Sequence, residues 1–374
     1  MHILRVANFV SPTSGGIKTA LQAWGEHYRA LGHRVSLIIP GPGPEISEES
    51  QGTVFRVPAM PIPGTGYSLI WDRRGLSRLM DAIDPDALEV SDRSTTRWMG
   101  RWARRRGIGS VMISHEHMTG IMVRRTPVPD TPAVWTADLI NRRSAHDYDA
   151  IVCPSRFAAE EFHRNGIDAH VVPLGVDLET FVPTRDPRAY VPPAPGEMVR
   201  LVHCGRLSPE KRPALSIETV RELVRRGMDV EMTVFGHGPL RDRLLERSRN
   251  LPVVFHSYIS DRRELAVKMG TADVAVAPGP LETFGLAALE VMACGVPAVC
   301  TDEGALQEVV GEGGHVAHST PAAFADGVEA LLARPGSHVR ARQQAERFNW
   351  RASAERMLAV HEQVRVGVQG GGRR

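Results

Sequence analysis

Short apolar runs alternate with segments of helical periodicity along most of the chain. The runs predict strands at residues 3–9, 35–39, 54–57, 87–91, 111–114, 149–153, 200–204, 230–235, 253–256, 274–277 and 298–300. Helical patterns predict helices at 17–31, 95–106, 155–165, 286–293, 320–333 and 350–366, and another that begins at Pro213. Regular alternation of strand and helix indicates parallel sheets covered by helices, which is the α/β class. Residues 41–67 are rich in Gly and Pro and are predicted as loop apart from the strand at 54–57.

Residues 272–301 contain the clearest strand–loop–helix–strand unit. The apolar run at 274–277 is followed by a Pro-Gly-Pro segment that breaks the backbone pattern. A helical pattern then covers 286–293 and stops at Gly295, before another short strand. In such a unit the helix begins near the carboxyl end of the first strand. Its free N–H groups and partial positive charge favour the anionic groups of a ligand.

Two carboxylates frame the corner between loop and helix in this unit. Glu282 lies in the loop and Glu290 lies within the helix. Carboxylates repel phosphate but accept hydrogen bonds from hydroxyl groups. A phosphate-binding helix start beside acceptors for hydroxyls therefore indicates a ligand with both groups, such as a sugar nucleotide. The alternative for Glu290 is a solvated helix face, where single helical glutamates commonly lie.

The segment PLETFGLAALEVMACGVPAV resembles the E-x7-E signature of retaining glycosyltransferases with the GT-B fold, such as phosphatidylinositol mannosyltransferases, sucrose synthases and glycogen synthases. The resemblance implies two Rossmann-like α/β domains facing across a cleft, with the donor on the second domain and the acceptor on the first. It also implies that Glu282 and the backbone of Phe284 and Gly285 hold the transferred sugar. Leu286 is expected beside the donor, and Glu290 is expected to hold the ribose hydroxyls.

The chain has 374 residues, more than fold around one ordinary hydrophobic core, so two domains are expected. We predict an N-terminal, acceptor-side domain over 1–183 and a C-terminal, donor-binding domain over 184–349. The Pro-rich stretch 184–196 is interpreted as the interdomain linker. By resemblance, the helix at 350–366 packs back onto the first domain. The tail, 370–374, is expected to be disordered.

Charge and composition exclude several classes of protein. A formal net charge of +2 gives no support for nucleic-acid binding. No apolar run approaches the length of a transmembrane helix, and the N-terminal residues lack a signal-peptide layout. The cysteines are scattered without the spacing of a metal site: Cys153, Cys204, Cys294 and Cys300. They are interpreted as reduced thiols, so we expect a cytoplasmic protein.

The predicted helix at 95–106 leaves a membrane interpretation open. It carries a run of arginines: Arg101, Arg104, Arg105 and Arg106. Such a run commonly marks a solvated face, but it can also contact anionic lipid. Trp98 and Trp102 on the same helix favour lipid, because tryptophan is enriched at membrane interfaces. Peripheral contact with the inner face of the membrane is therefore kept as an alternative to a purely cytoplasmic location.

The glycine pair Gly15 and Gly16 ends the loop between the first predicted strand and helix. Its spacing is not G-x-G-x-x-G, so a dinucleotide site is only weakly indicated. Two glycines permit close backbone approach to a ligand, or serve only a tight turn. In the enzymes that the chain resembles, this loop faces the cleft and the donor phosphates.

His115 follows the strand at 111–114, at the end of a strand where open α/β sheets bind ligands. The sequence here is His-Glu-His, but His115 and His117 point alike while Glu116 points away, and no third metal ligand is evident. A hydrogen-bonded structural histidine is the alternative. The resemblance implies that His115 hydrogen-bonds the sugar being transferred.

Arg206 and Lys211 lie in the loop after the strand at 200–204. Arginine offers a two-pronged donor and lysine a compact charge, and both bind phosphate. Two surface cations alone more often have no function. However, the chain uses arginine almost throughout, and its lysines are Lys18, Lys211 and Lys268. The loop matches the family pattern G-R-x-x-x-E-K, whose Arg and Lys grip the donor phosphates.

Two Asp-x-Asp triplets could suggest a metal site, Asp84–Asp86 and Asp147–Asp149. Both lie just before a predicted strand, at the end away from the ligand side, and are interpreted as turn and strand-entry residues. We therefore expect neither a metal nor a cofactor. Cationic side chains and the helix start near Gly285 would hold the diphosphate instead.

The residues and the resemblance together imply a retaining hexosyltransferase that uses a nucleoside-diphosphate sugar. The expected catalytic residues are His115, Arg206, Lys211 and Glu282. GDP-mannose is the favoured donor, because the nearest resemblance is to mycobacterial-type mannosyltransferases. The acceptor is a hydroxyl of a lipid, a glycan or a small molecule, which is consistent with cell-envelope biosynthesis. Two alternatives are a nucleotide-sugar epimerase of GT-B fold and a catalytically silent nucleotide-sugar-binding subunit.

Overall fold

The computed structural model describes residues 1–10, 15–62, 67–125, 129–194 and 196–370. The chain forms two compact units, Met1–Gly175 with Trp350–Arg374 and Val176–Asn349, called unit 1 and unit 2 here. The boundary predicted at 183/184 falls inside unit 2. The first part of the predicted glycine loop, 11–14, and the last residues, 371–374, lie outside the described residues.

Unit 1 is built on a mainly parallel sheet covered by helices. Its strands are β1 (His2–Val6), β2 (Arg34–Gly41), β3 (Glu45–Glu49), β4 (Gly52–Pro58), β5 (Met60–Ile62), β6 (Tyr67–Leu69), β7 (Ala87–Val90), β8 (Gly109–Ile113), β9 (Ala150–Cys153) and β10 (Ala169–Val171). Its helices include α1 (Gly16–Ala30), α2 (Arg73–Ile83), α3 (Trp98–Arg104), α4 (Met118–Arg125), α5 (Asp130–Asp147) and α6 (Arg156–His163). The main sheet has the order β10-β9-β8-β7-β1-β2-β4-β3.

The region 41–67 contains more strand than the sequence predicted. Strand β3 pairs antiparallel with β4, with Ile46 opposite Phe55, and β5 pairs antiparallel with β6. The prediction of a mostly irregular loop is therefore wrong. Strand β3 lies at the sheet edge and is largely exposed, so it carries no apolar run that would mark it. Its pairing depends on backbone hydrogen bonds to β4, which sequence pattern does not report.

Unit 2 has a parallel sheet in the order β13-β12-β11-β14-β15-β16. Its strands are β11 (Val199–Cys204), β12 (Val230–Phe235), β13 (Val253–His256), β14 (Val274–Ala277), β15 (Ala298–Thr301) and β16 (Gly314–Ala317). Its helices are α7 (Pro213–Arg225), α8 (Arg241–Arg247), α9 (Arg262–Met269), α10 (Leu286–Ala293), α11 (Leu306–Val310), α12 (Pro321–Ala333) and α13 (Ser337–Glu346).

Several predicted elements of unit 2 coincide with the structure to the residue. The predictions at 230–235, 253–256, 274–277 and 286–293 are confirmed as β12, β13, β14 and α10. Each is bounded by Gly or Pro or by a change from apolar to polar residues, so its ends are set locally. Pro213 is confirmed at the start of α7, where its missing N–H has no helical partner to lose.

Helix α14 (Trp350–Gly370) belongs to unit 1 and contacts a buried ion pair of that unit. His361 Nε2 lies 2.9 Å from Glu89 Oε1. On its other side, Glu89 forms a 2.6 Å ion pair with Arg5, and both side chains are almost fully buried. Burial would raise the pKa of Glu89, but Arg5 and His361 lower that pKa to about 2. The C-terminal helix is thus joined to strands β1 and β7 through a buried ionic network.

The Pro-rich stretch predicted as a linker packs on unit 2. The Thr184 hydroxyl donates to the Gly270 carbonyl at 2.9 Å. The Tyr190 hydroxyl donates to Asp273 at 3.2 Å, and its ring stacks on His338 with centroids 3.5 Å apart. In the described part of this stretch, these contacts make it part of the folded unit.

Both tryptophans of α3 are buried in the core of unit 1, with 8% of Trp98 and 2% of Trp102 exposed. The prediction that these rings favour lipid contact is therefore wrong, because neither ring is presented to a surface. Within the described ranges, no helix combines the length and apolarity that crossing a membrane requires.

Candidate active site

The candidate residues of unit 2 follow two neighbouring strands. Strand β11 pairs directly with β14, with Leu201 opposite Val274. The loop carrying Arg206 and Lys211 follows β11, and the loop carrying Glu282 follows β14. Because the carboxyl ends of adjacent parallel strands share one edge of the sheet, these loops lie side by side.

Lys211 and Glu282 meet at this edge. Lys211 Nζ lies 2.5 Å from Glu282 Oε1, and both side chains are about one-quarter exposed. A partly exposed pair contributes modestly to stability. It places a cation and a hydroxyl-accepting carboxylate together, where a ligand can contact both.

The loop after β11 is held by the glycine turn after β12. The Leu207 amide donates to the His237 carbonyl at 3.0 Å, and the Leu240 amide donates to the Leu207 carbonyl at 3.0 Å. A β-carbon at Gly238 would lie 2.4 Å from the Leu207 carbonyl oxygen. Glycine is therefore required for this close approach, which fixes the backbone between Arg206 and Lys211. Arg206 itself is exposed.

Arg212, which the sequence reasoning did not single out, fixes the other end of this loop. It has a φ of +45° at the start of α7. Its guanidinium donates to Glu303 at 2.7 Å and to the Ser319 hydroxyl at 3.0 Å. The chain is therefore anchored immediately after Lys211. A positive φ in a non-glycine residue leaves no mark in sequence pattern.

Gly285 connects the Glu282 loop to α10 in a conformation that suits glycine. Its φ is +103°, and a β-carbon there would lie 2.3 Å from Leu306 Cδ2. The Ala305 amide donates to the Glu282 carbonyl at 3.1 Å, which holds the loop from its other side. The N-terminus of α10 begins directly afterwards, at Leu286, which is half-buried.

Phe284 turns its side chain into unit 2. It is 3% exposed, and its ring packs edge-on against Phe348 with centroids 5.6 Å apart. The ring therefore stabilises the loop. A ligand contact from Phe284 would have to come from its backbone, as the resemblance implied.

Glu290 lies farther along α10 and is paired with Arg262, at 2.7 Å between Oε1 and the guanidinium. Burial raises the pKa of Glu290 above its usual value, while Arg262 opposes the rise. Burial of Cys204, with the Glu290 carboxylate nearby, raises the pKa of that thiol to about 12. Arg262 also lies over the Phe181 ring at 4.9 Å. Arg262 was not among the predicted site residues, because nothing in its local pattern distinguishes it from other exposed helix-start arginines.

His115 lies in unit 1, directly beyond β8. Its Nε2 lies 3.2 Å from the Ser91 hydroxyl, and its ring centroid is 6.1 Å from that of Trp24. Burial, reinforced by Arg5, lowers the pKa of His115 to about 4. The imidazole is therefore neutral near pH 7. A neutral ring suits hydrogen bonding to a hydroxyl rather than attraction of phosphate.

Arg93 positions the segment that carries His115, and sequence reasoning missed it. Its guanidinium donates to the Glu116 carbonyl at 2.8 Å and to Glu161 at 3.1 Å, and it also contacts the Ser114 hydroxyl. Arg93 is almost fully buried. A buried, multiply bonded arginine holds the turn after β8 in one conformation.

His117, the second histidine of the His-Glu-His segment, has structural contacts. It stacks on Phe157 with centroids 4.5 Å apart, and its Nδ1 accepts from the Gly120 amide at 3.0 Å. Among the described residues, no group of three or more His, Cys, Asp or Glu side chains is arranged to hold a metal ion.

The Asp-x-Asp triplets contain strand-entry contacts. Asp86 accepts from the His2 amide at 2.6 Å, and Asp149 accepts from the Ser110 amide at 2.9 Å. Asp84 has a φ of +50° where α2 ends. The interpretation as turn and strand-entry residues is confirmed for these three residues. It is wrong for Asp147, which is the last residue of α5 and pairs with Arg97 and Arg101.

Gly15 and Gly16 lie at the start of α1, and both are exposed. Gly15 has a φ of −83°, which other residues also adopt. A β-carbon at Gly15 would meet no atom of the described chain within 4 Å. The φ of Gly15 therefore does not require glycine, and no atom of the described residues fills the space beside it.

Solved structures share this architecture. Sucrose-phosphate synthase from Thermosynechococcus elongatus superposes with a TM-score of 0.78 at 21% identity, covering 97% of this chain and 98% of that one. Anabaena HepE in complex with UDP-glucose gives a TM-score of 0.74 at 15% identity, covering 97% and 100%. The fold is therefore that of the GT-B glycosyltransferases, an α/β class with two parallel-sheet units, as predicted.

Sequence comparison defines the family. Residues 14–180 match Glycosyltransferase Family 4, and residues 191–348 match Glycosyl transferases group 1. The GDP-mannose-dependent alpha-(1-6)-phosphatidylinositol dimannoside mannosyltransferase of Mycobacterium tuberculosis (strain ATCC 25177 / H37Ra) is 43% identical over 377 residues, covering 99% of this chain and 98% of that protein. The chain therefore belongs to the same glycosyltransferase family as this relative. The predicted enzyme class, a hexosyltransferase, is confirmed.

Proposed function

We propose that the protein transfers a mannosyl unit from GDP-mannose to a hydroxyl of a glycolipid acceptor, with retention at the anomeric carbon. The observation that carries the proposal is the contact between Lys211 and Glu282 at the carboxyl ends of adjacent strands. This contact brings together a lysine suited to bind phosphate and a glutamate suited to accept hydrogen bonds from hydroxyls. The donor and acceptor classes are taken from the 43% identical relative, whose name specifies GDP-mannose and a phosphatidylinositol dimannoside.

The donor is assigned to unit 2. Arg206 and Lys211 are proposed to hold the diphosphate, supported by the rigid loop between β11 and α7. The N–H groups of Gly285 and Leu286 at the start of α10 would add partial positive charge. Glu282 is proposed to accept hydrogen bonds from the transferred sugar.

Glu290 is proposed to accept hydrogen bonds from the ribose hydroxyls. This role requires the ionised carboxylate. Its 2.7 Å contact with Arg262 favours that form against burial. The arginine is therefore proposed as a positioning residue for Glu290.

Two features of unit 1 complete the proposal. His115, neutral near pH 7, would hydrogen-bond a hydroxyl of the transferred sugar. The exposed backbone at Gly15 and Gly16 would approach the donor phosphates. These assignments rest on the family resemblance and on the chemical state of each residue in unit 1.

The proposed chemistry is a displacement on one face of the sugar. The bond between the anomeric carbon and the β-phosphate oxygen breaks, and a bond from the acceptor oxygen to that carbon forms. The acceptor's proton passes to the leaving phosphate oxygen. Negative charge grows on the diphosphate during bond cleavage, so Arg206 and Lys211 would stabilise the transition state more than the bound donor.

A nucleotide thermal-shift panel tests the donor assignment. GDP at about a hundred times its dissociation constant should add about 2.7 kcal/mol of stability. UDP and ADP at the same concentration should add less. A larger shift with UDP would refute the guanine assignment, and no shift with any nucleotide would refute the donor site itself.

Product analysis separates transfer from the alternatives. GDP-mannose with a phosphatidylinositol dimannoside should give an acceptor extended by one α-linked hexose, which mass spectrometry and NMR detect. Conversion of the donor sugar without acceptor would instead indicate an epimerase. Donor binding without any turnover would indicate a silent subunit. A lipid acceptor also requires access to a membrane surface, which vesicle co-sedimentation measures.

A further inference from the structure

Unit 1 contains a cationic pocket between helices α3 and α5. Its volume is about 270 Å³. The lining consists of Arg97, Arg101, Arg142, Arg143, His146 and Asp147. The lining therefore contains four arginines and one aspartate, so it carries a net positive charge even with His146 neutral.

Asp147 organises part of this pocket. It is 2% exposed and lies 3.1 Å from Arg97 Nε and 3.0 Å from the Arg101 guanidinium. His146 Nδ1 lies 3.3 Å from the same carboxylate. One negative charge thus holds two arginines in place without neutralising both. The two guanidiniums remain partly exposed, at 29% and 46%, and can contact a ligand.

The other two arginines come from the last turns of α5. Both are exposed, and Arg142 Nε donates to the neutral Asn165 side chain at 2.9 Å. This bond orients Arg142 while leaving its charge intact. Arg142 and Arg143 therefore add positive charge beside the Asp147-bound pair. Like charges held together are unfavourable, and an anion in the pocket would relieve that repulsion.

Helices α3 and α5 are in direct contact beside the pocket. A β-carbon at Gly100 would lie 2.2 Å from the Asp147 carbonyl oxygen, so α3 touches the end of α5 through its backbone. Arg104 donates to the His146 carbonyl at 2.9 Å, and the Tyr148 hydroxyl donates to the Thr96 carbonyl at 3.3 Å. These contacts hold α3 and the end of α5 together beside the pocket.

The pocket is separate from the residues assigned to transfer in unit 1. Asp147 lies shortly before β9, on the amino side of that strand, whereas His115 lies beyond the carboxyl end of β8. These strands are parallel neighbours. The two features thus lie toward opposite edges of the sheet, and the pocket needs its own explanation.

We propose that this pocket binds a phosphate group. Guanidiniums bind phosphate through paired, charge-assisted hydrogen bonds, and clustered arginines recognise phosphate wherever such geometry is required. The phosphate could belong to a free molecule or to the headgroup of an anionic lipid. The proposal does not depend on the donor site, because all its residues lie elsewhere in the chain.

The test compares Arg142→Gln/Arg143→Gln with a control pair, Arg351→Gln/Arg365→Gln. The control lies on α14 of the same unit, removes the same charge, and changes two exposed arginines that pair with glutamates on their own helix. Arg97 and Arg101 are kept, because their bonds to buried Asp147 support the fold. The probes are inorganic phosphate at constant ionic strength, and phosphatidylcholine vesicles with and without phosphatidic acid.

We expect the Arg142→Gln/Arg143→Gln variant to bind the probe that the wild type binds about tenfold more weakly for each guanidinium removed. Binding by the control variant should be unchanged. Binding of inorganic phosphate would identify a free molecule as the source of the phosphate group. Binding only to vesicles with phosphatidic acid would identify the headgroup of an anionic lipid. Equal loss in both variants would show non-specific charge attraction and overturn the proposal. Unchanged phosphate binding in the pocket variant would place the bound phosphate elsewhere, and no response to either probe in the wild type would also overturn it.

Discussion

Lys211 Nζ lies 2.5 Å from Glu282 Oε1, although the two residues belong to separate loops of unit 2. Each was predicted to act on a different part of the donor, the lysine on phosphate and the glutamate on sugar. The contact makes their effects interdependent, because each charge modifies the field at the other. Substitutions of the two residues should therefore not have independent consequences.

Lys211→Ala should lower turnover by roughly a hundredfold or more, because a preorganised charge near developing negative charge is typically worth about 2.7–4 kcal/mol. Lys211→Arg should restore it only partly, since a planar fork does not replace a compact ammonium beside Glu282. Initial rates at saturating donor and melting curves for each variant measure this. Lys268→Ala, which removes a partly exposed lysine of α9, is the matched control. Near-normal turnover in Lys211→Ala would identify it as an ordinary surface cation.

Glu282→Gln should separate binding from catalysis. Removing a negative charge beside Lys211 should tighten GDP binding, because the lysine is no longer neutralised. Turnover should nevertheless fall, since the proposed contact of Glu282 with the sugar would strengthen as charge develops in the transition state. Calorimetric titration with GDP and initial rates provide the two readouts. Glu218→Gln, which breaks an arginine pair on α7, should change neither. Weaker GDP binding with unchanged turnover in Glu282→Gln would reverse the assignment.

Glu290→Gln should weaken binding of GDP, because a carboxylate that accepts from ribose contributes equally in donor and product complexes. In the wild type, affinity should fall as acid protonates Glu290, at a pH above the usual range for glutamate, because burial raises its pKa. Arg262→Gln should move that fall to still higher pH, since the arginine holds the pKa down. Dissociation constants for GDP between about pH 5 and 8 test this. Identical profiles in wild type and Arg262→Gln would defeat the positioning role.

Activity should persist in excess EDTA, because Arg206 and Lys211 are proposed to serve as the phosphate clamp. The measurement is the initial rate before and after chelation, followed by addition of magnesium or manganese. A tenfold loss, about 1.4 kcal/mol in barrier, that either metal restores would contradict the cationic clamp.

The stability of unit 2 should fall as the pH drops below about 6.5. Burial lowers the pKa of His203 and of His338 to about 4, from an ordinary value of 6.5. The unfolded chain therefore binds protons that the folded chain excludes, and stability present above pH 6.5 is lost progressively toward pH 4. The loss is on the order of 3 kcal/mol for each ring.

His338→Phe checks this pH dependence, because phenylalanine can keep the stacking on Tyr190 without titrating. Melting temperatures across the range should fall less steeply than in the wild type. His163→Gln, at an exposed position of α6, should retain the wild-type slope. A His338→Phe slope equal to that of the wild type would place the acid sensitivity elsewhere.

Elements with local signals can be predicted from residue order. The strand at 274–277 and the helix at 286–293 follow from an apolar run, a Pro-Gly-Pro break and a closing glycine, and all of these lie within one short segment. The resemblance across Glu282 and Glu290 is carried by the same short segment. Such features depend on neighbours in the chain, so residue order reports them directly.

Contacts between side chains that are distant in the chain depend on the packing of the whole unit. Lys211 contacts Glu282 because β11 lies beside β14, although β12 and β13 intervene in the chain. The pairing of Arg262 with Glu290, the burial of Trp98 and the edge strand β3 likewise depend on non-local packing. Strand order follows from crossover handedness and from burial of both sheet faces, which involve the whole unit. Local sequence therefore identified the candidate residues of the site, and the sheet determined their partners and charge states.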